Sequence, residues 1–397
     1  MIALIILVSL FIASRVIIFV FPPHFSDVMY SYYHYARIWT EGYPAYLVHL
    51  FEYPPANIIL FYLPWILDRA SILGYPDFYR FFVFLADVII FIVSFKVLKK
   101  LKLKKGIIFI ALLYYILALT KAKDFVYDSM DLVFISGFFL SLALLKLKKQ
   151  TPKIRFFSWF FFWLSTAFKY ITAPLFIPYL LLMRKGRDLK KEILISFMAF
   201  VAVWGLPLII FRSSLSVTFV YHLKRGFQVE SMPANVIRLV NRWTQSDSFV
   251  EVYKNYDIIG PVTAKLQPYL SIIFPLTMLA FFIYSLKKSL DLSKPTGKSF
   301  DEYKEKLKLG LIYLFLFMAT GKVFSTPFHL WLPPLLTIYP FKSVKQQLKV
   351  LFVSFFMIAI SMTPIPNLTY QGFELHNAIG LMRPICLLYM LIKIKKT

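Results

Sequence analysis

Cysteine is all but missing from this chain. Cys386 alone, inside the last apolar run, leaves no intramolecular disulfide and no cysteine metal site. No glycine-rich dinucleotide fingerprint and no P-loop occurs, so a site for a nucleotide sugar or ATP is unsupported. The histidines show no metal-ligand spacing such as HxxxH, and no Ser-His-Asp series can be placed. No internal repeat is evident, which argues against the paired halves of many secondary transporters. The first 21 residues have no basic start and no small-residue cleavage site, and their apolar run is too long for a cleavable signal. They are read as the first spanning helix. Acids are scarce as well: 20 Asp and Glu stand against 45 Lys and Arg.

What is present is apolar. Of 397 residues, 59% are hydrophobic and 19% aromatic, beyond what a soluble domain of this size carries. Mean hydropathy is +0.67. A spanning helix needs ~20 mostly apolar residues, and such runs recur along the chain. The net charge of +25 raises the question of nucleic acid. The basic residues, however, sit in short loops, at 98–105, 146–155, 183–191 and 393–396, which is the positive-inside pattern. No basic groove interleaved with aromatics accompanies them, so no nucleic-acid partner is expected.

The reading is an all-α polytopic membrane protein, one domain over 1–397, with about 12 spans and both termini inside. Large outer loops fall at 22–77 and 212–267, shorter ones at 120–130, 321–328 and 363–376, and a cytoplasmic linker at 287–307. The run at 56–67, punctuated by Pro54, Pro55 and Pro64, is too short to cross and is placed on the outer surface. Were it a span, the lysine-rich loop at 98–105 would lie outside.

Chemistry concentrates on the outer side. The stretch from Pro22 to Pro55 holds Asp27, His24, His34, His49 and seven tyrosines. Asp27 is either a general base, its pKa raised by aromatic surroundings, or the cap of a helix over 28–40. Asp124, Asp128 and Asp131 form a second acidic group, read as capping the next helix, positioning an acceptor or holding a metal. Arg15, inside the first span, is a snorkelled anchor or a lipid-phosphate contact. His222, Lys224 and Arg225 place basic donors beside a membrane exit, where Arg225 suits a phosphate clamp or an interface anchor. Lys169 is open to phosphate contact or snorkelling. Lys322, Ser325, His329 and Trp331 mark a late helix start suited to an anion. Asn367-Leu368-Thr369 is a glycosylation sequon, a three-residue match in an outer loop.

Several of these stretches together resemble the C-type, multi-spanning glycosyltransferases that use polyprenyl-phosphate sugars. The similarity is to polyprenol-phosphate-mannose α-mannosyltransferases and to the catalytic subunit of GPI mannosyltransferase I. It rests on Asp27, Tyr30, Gly42, Pro44, Tyr46, Tyr53, Pro54 and Pro55, then Tyr221, His222, Arg225, Glu230 and Ser231, then Lys322, Val323, Ser325 and Trp331. The resemblance implies a C-type glycosyltransferase fold and inverting transfer of a hexose, expected to be mannose, to a glycolipid or glycan acceptor outside the cytoplasm. Asp27 would be the base. Arg225, His222, Lys169 and Lys322 would meet the donor phosphate, and Tyr30, Tyr53, Asp128, Tyr221, Glu230, Ser325 and His329 the substrates. GPI-type relatives carry a second acid two residues after the first. Met29 stands there, so metal-independent transfer with no cofactor is expected. Where relatives have Gln-Tyr late in the chain, this one has Pro327-Phe328.

The expected setting is a prokaryotic cell membrane, or the ER membrane in a eukaryote, with the protein a monomer in the lipid bilayer. The rival class is a lipid-linked sugar flippase or polysaccharide exporter, which would need polar residues along a path through the spans. Apart from Arg15 and Asp87, few are there.

Overall fold

A computed structural model describes residues 2–21, 26–70, 73–182, 189–244, 246–252, 255–292, 301–362 and 375–396. His24, the sequon at 367–369 with most of its outer loop, residues 183–188 of one basic loop and 293–300 of the linker lie outside the described residues. In hydrocarbon every backbone N–H and C=O must be satisfied internally, so the apolar runs fold as helices. The first half comprises α1 (Ile2–Val20), α2 (Tyr33–Thr40), α3 (Ala56–Arg69), α4 (Tyr75–Lys100), α5 (Lys105–Lys121), α6 (Lys123–Val126), α7 (Asp131–Leu147), α8 (Pro152–Phe168) and α9 (Phe176–Leu182). The second comprises α10 (Leu189–Phe211), α11 (Ser216–Lys224), α12 (Met232–Thr244), α13 (Pro261–Leu292), α14 (Glu302–Thr320), α15 (Leu332–Thr337), α16 (Val344–Ser361) and α17 (Leu375–Lys395). The described residues are predominantly helical, as expected of an all-α membrane protein, with one short antiparallel hairpin in the 212–267 segment, β1 (Ser248–Val252) with β2 (Asn255–Ile259).

Six helical segments among the described residues are long and apolar enough to cross a bilayer: Ile2–Val20, Tyr75–Lys100, Leu189–Lys224, Pro261–Asp291, Val344–Ser361 and Asn377–Lys395. The chain is a membrane protein on that evidence. The remaining expected crossings are shorter or more charged. Helices α5, α7 and α8 have 17 residues each. The runs at 171–184 and 328–341 each begin as a 3-10 turn, Tyr170–Leu175 and Thr326–Trp331, before a short α-helix. Helix α14 opens on Glu302, Lys304, Glu305, Lys306 and Lys308. The surface segment expected at 56–67 is α3, 14 residues with Pro64 inside.

Helix α7 is the hub, packed against α4, α8 and α14. Gly137 permits its close approach to α8, since a Cβ there would stand 3.1 Å from the Phe161 carbonyl oxygen and 3.2 Å from the Ser165 nitrogen. These helices run between two polar ends. Arg155 lies in the first turn of α8 and Lys169 directly follows its last residue, about 21 Å further along at 1.5 Å per residue. At the Arg155 end, its guanidinium reaches Glu192 on α10 at 3.0 Å and Glu302 on α14 at 2.9 Å. Lys306 meets Glu302 at 3.0 Å, and the Trp159 indole N–H donates to Glu192 at 2.6 Å. Lys146, which ends α7, pairs with Asp301 at 3.2 Å. The loops expected inside thus meet at one end.

Arg15 is neither a snorkelled anchor nor a free phosphate contact. Its Nε and Nη2 donate to the two Asp87 oxygens at 2.7 and 3.0 Å, and both side chains are buried. Tyr115 and Tyr127 hydroxyls complete the carboxylate at 2.6 and 2.7 Å. An ion pair this deep persists because every lone pair finds a donor. It ties α1 to α4 and α5, which fixes the point from which the chain leaves toward Asp27.

Candidate functional site

After α1 the chain enters a π-helical turn, Val28–Tyr32, that leads into α2. Such turns are rare and recur at functional sites. Asp27 stands at its start, and its side chain makes no capping hydrogen bond, so the capping reading is not what the structure shows. The carboxyl is part-buried and makes no ion pair or side-chain hydrogen bond among the described residues. Burial, reinforced by Asp131, Asp128 and Glu52 and opposed only by Lys169, pushes the Asp27 carboxyl up to about 7. Tyr32 of the same turn is buried, stacked on Phe61 at 4.1 Å and tilted against Tyr79 at 5.3 Å. Tyr32, Tyr53 and Tyr79 all lie within the electrostatic reach of Asp27. Tyr30, expected at the substrate, is 62% exposed instead.

The neighbouring carboxylates are occupied. Asp128 is gripped by Arg80, with Nε to Oδ2 at 3.1 Å and Nη2 to Oδ1 at 2.8 Å, and accepts a further bond from the Ser26 hydroxyl. It is therefore a buried structural partner rather than a free substrate ligand or a helix cap. Arg80 and Asp87 are seven residues apart on α4, two turns along one face. Asp128 and Tyr127 answer them in the same order. Asp131, the first residue of α7, accepts from Lys169 Nζ at 2.5 Å and from the Trp331 indole at 2.6 Å. Lys169 also lies over the Phe328 and Trp331 rings, at 4.6 and 5.0 Å. Lys169 and Trp331, both singled out in sequence, thus meet on an acid that sequence reasoning did not join to them. Asn57 holds this corner: its amide donates to the Pro54 carbonyl at 3.0 Å and to the Phe168 carbonyl at 2.9 Å. The YPP segment is thereby fastened beside Lys169.

The second outer loop closes over the first. His222 on α11 hydrogen-bonds the backbone of Glu52, whose carboxylate accepts from the Tyr35 hydroxyl at 2.5 Å. Tyr221 is buried and lies in the electrostatic reach of Tyr53. Lys322 gives two of its N–H donors to structure: its ammonium donates to the carbonyls of Leu223 and Arg225, at 2.9 and 2.7 Å, at the end of α11. One of its three N–H donors remains for a phosphate. Glu230 is held by the Thr326 hydroxyl at 2.7 and 2.9 Å. Ser325 precedes the 3-10 turn without capping it through its side chain. His329 is fully buried against Phe324, and neither ring nitrogen has a partner among the described residues. It stands in the field of Arg383, which donates to Ser361 at 3.0 Å. Arg225 makes no ion pair among the described residues, and its Nε is buried without a partner among them.

Asp27, Lys169, Tyr53, Tyr221 and His222 are joined by their electrostatic reach, then, while Glu230 and His329 are joined through Thr326 and the field of Arg383. Arg80, Asn57 and Tyr79 were not selected from the sequence; Asp131 was, with Asp124 and Asp128, but without its partners Lys169 and Trp331. Asp128 and Asp131, three residues apart before an apolar run, were the signal available for two of these pairings. No group of three or more metal-ligating side chains occurs among the described residues. No protein-family model matches the chain, and neither a curated protein nor a solved structure matches it.

Proposed function

We propose that the chain is an integral-membrane glycosyltransferase of the C type, with about 12 crossings when its shorter helices are counted. Its reaction moves a hexose, expected to be mannose, from a polyprenyl-phosphate donor to a hydroxyl-bearing glycolipid or glycan on the non-cytoplasmic side. The observation that carries the reading is Asp27: a carboxyl at the end of the first span, without an ion pair among the described residues and with its pKa raised by burial to about 7. A general base works best with its pKa close to the ambient pH. In the proposed step Asp27 takes the proton of the acceptor hydroxyl. The acceptor oxygen bonds to the anomeric carbon as the bond from that carbon to the phosphate oxygen breaks. The polyprenyl phosphate leaves with the electron pair, and the anomeric configuration inverts.

Lys169 is the cation nearest this chemistry. One of its three N–H donors goes to Asp131, and the others can meet phosphate charge as it develops. On the bilayer side, α1 and α4 leave an apolar groove of about 220 Å³ lined by Phe11, Val16, Phe19, Val20 and Phe84, room for part of a lipid tail. A flippase is less well supported, because Arg15 and Asp87 neutralise each other inside the spans. The test is transfer from labelled polyprenyl-phosphate mannose in liposomes, with Asp27→Asn against the unaltered protein. A loss of at least a hundredfold is expected, in line with a missing general base; equal rates would remove Asp27 from the chemistry. An EDTA arm tests the expectation of metal-free transfer, which a loss of rate would refute.

A further inference from the structure

Four polar atoms in the 212–267 segment are buried without partners among the described residues, and three of them, Arg225 Nε, Gln228 Oε1 and Asp257 Oδ1, gather around one backbone bridge, apart from Asn235 Oδ1. Each such atom costs stability unless something meets it, so three in one place call for an explanation. They are neighbours by construction. Ile258 N donates to the Phe227 carbonyl at 3.1 Å, and Val229 N to the Tyr256 carbonyl at 3.0 Å. These two bonds flank the bridge between Gln228 and Asp257. Residues 227–229 therefore add a third extended segment to the β1–β2 hairpin. Gln228 and Asp257 form its non-hydrogen-bonded pair, the kind whose side chains stand closest on one face.

The Asp257 carboxylate also leans on residue 226. Its Oδ2 accepts from Gly226 N at 3.2 Å, and a Cβ on Gly226 would stand 2.9 Å from that oxygen. Gly226 is adjacent to Arg225, whose charge acts on Asp257 although the two form no ion pair. Both the Arg225 guanidinium and the Asp257 carboxylate therefore keep hydrogen-bonding capacity that no described residue uses. Asp257 is 2% exposed and Gln228 8% exposed, so the unused groups are enclosed by protein. The Tyr221 ring lies 5.9 Å from the Arg225 guanidinium carbon and forms an aromatic border.

We infer that Arg225, Gln228 and Asp257 form a subsite for the adjacent hydroxyls of a hexose. The chemistry of the three groups selects that class. A phosphate would bring its charge onto the Asp257 carboxylate and find no donor in Gln228 Oε1. A hydroxyl both donates and accepts. One can give its proton to Asp257 or Gln228 while accepting from Arg225 Nε, and its neighbour can satisfy the remaining oxygen. The pocket binds and does no bond-making. It deepens the transferase reading, on which its biological meaning rests, and it relieves Arg225 of the phosphate role expected from sequence.

The probe is methyl α-mannopyranoside, a hexoside without phosphate, added to the full chain in lipid nanodiscs and followed by saturation-transfer NMR. Saturable binding is expected, weakened tenfold or more by Gln228→Leu and by Asp257→Asn, the latter keeping an oxygen for the Gly226 N–H. Hexoside binding is read without turnover, so absent transfer beside intact, substitution-sensitive binding would sink the transferase reading alone and leave the subsite standing. Displacement by polyprenyl-phosphate mannose would assign the subsite to the donor sugar; simultaneous binding would assign it to the acceptor. Hexoside binding indifferent to both substitutions, or inorganic phosphate displacing it through Arg225, would overturn the inference.

Discussion

The two ends of α8 carry polar clusters built from similar parts and balanced differently. At the Arg155 end, two cations, Arg155 and Lys306, face two carboxylates, Glu192 and Glu302, and all four are bonded to one another or to Trp159. At the Lys169 end, Arg80 and Lys169 face Asp128 and Asp131 in the same two-against-two arrangement. There a fifth group intrudes: Asp27, with no cation paired to it among the described residues. A closed cluster holds helices together and offers a substrate nothing. An open one leaves a carboxylate whose charge must be neutralised by a proton, and that proton can be exchanged with a reactant. The contrast separates scaffold from candidate site using charge balance alone.

Substitutions can press on this contrast from either end. The largest effect is expected from Arg155→Ala, which removes the guanidinium joining Glu192 to Glu302. Glu192 is left with the Trp159 indole and Glu302 with Lys306, and a cost of about 3–5 kcal/mol is expected in thermal unfolding of the purified protein. Lys169→Ala is expected to cost less, about 2–3 kcal/mol, because Trp331 still donates to Asp131. It also removes the one charge opposing the rise of the Asp27 pKa, so the pH midpoint of transfer is expected to move upward.

Asp27→Asn is expected to act in the opposite direction on stability. The folded carboxyl titrates near 7 against an ordinary 3.8, so ionisation is penalised only in the folded state. Stability is then whole below about pH 4 and is lost as pH rises through 7. Removing the ionisable group should gain on the order of 1–3 kcal/mol at pH 8 and nothing at pH 4, read from apparent melting temperature at the two pH values. Tyr30→Phe, at an exposed ring, should stay within about 0.5 kcal/mol in the same unfolding assay.

Much of the scaffold was legible because it follows from apolar run length and lysine placement. The spans near 2–21, 78–98, 192–211, 268–286, 347–362 and 377–393 correspond to the six long apolar segments. The hairpin was not read, although SFVEVYKNYDII alternates as a strand pair does; it was absorbed into a loop assigned by polarity. Asp27 and Lys169 were legible as rare charges at membrane mouths. Which acids are already paired was not, since Arg80 with Asp128 and Lys169 with Asp131 join positions 48 and 38 residues apart. Such pairings depend on how helices pack, and local spacing carries no trace of them. The carbonyls that Lys322 holds were hidden for the same reason. A lysine beside a helix start invites an anion, and its ammonium also caps α11 carbonyls nearly a hundred residues earlier in the chain.

The most direct measurement is the pH profile of single-turnover sugar transfer from labelled polyprenyl-phosphate mannose in liposomes, compared between the unaltered chain and Asp27→Asn. With Asp27 as the base, the rate of the unaltered chain rises with pH through a midpoint near 7, and the variant stays at least a hundredfold lower with that rise abolished. A variant that keeps the same midpoint, or the same rate, would contradict the assignment of Asp27.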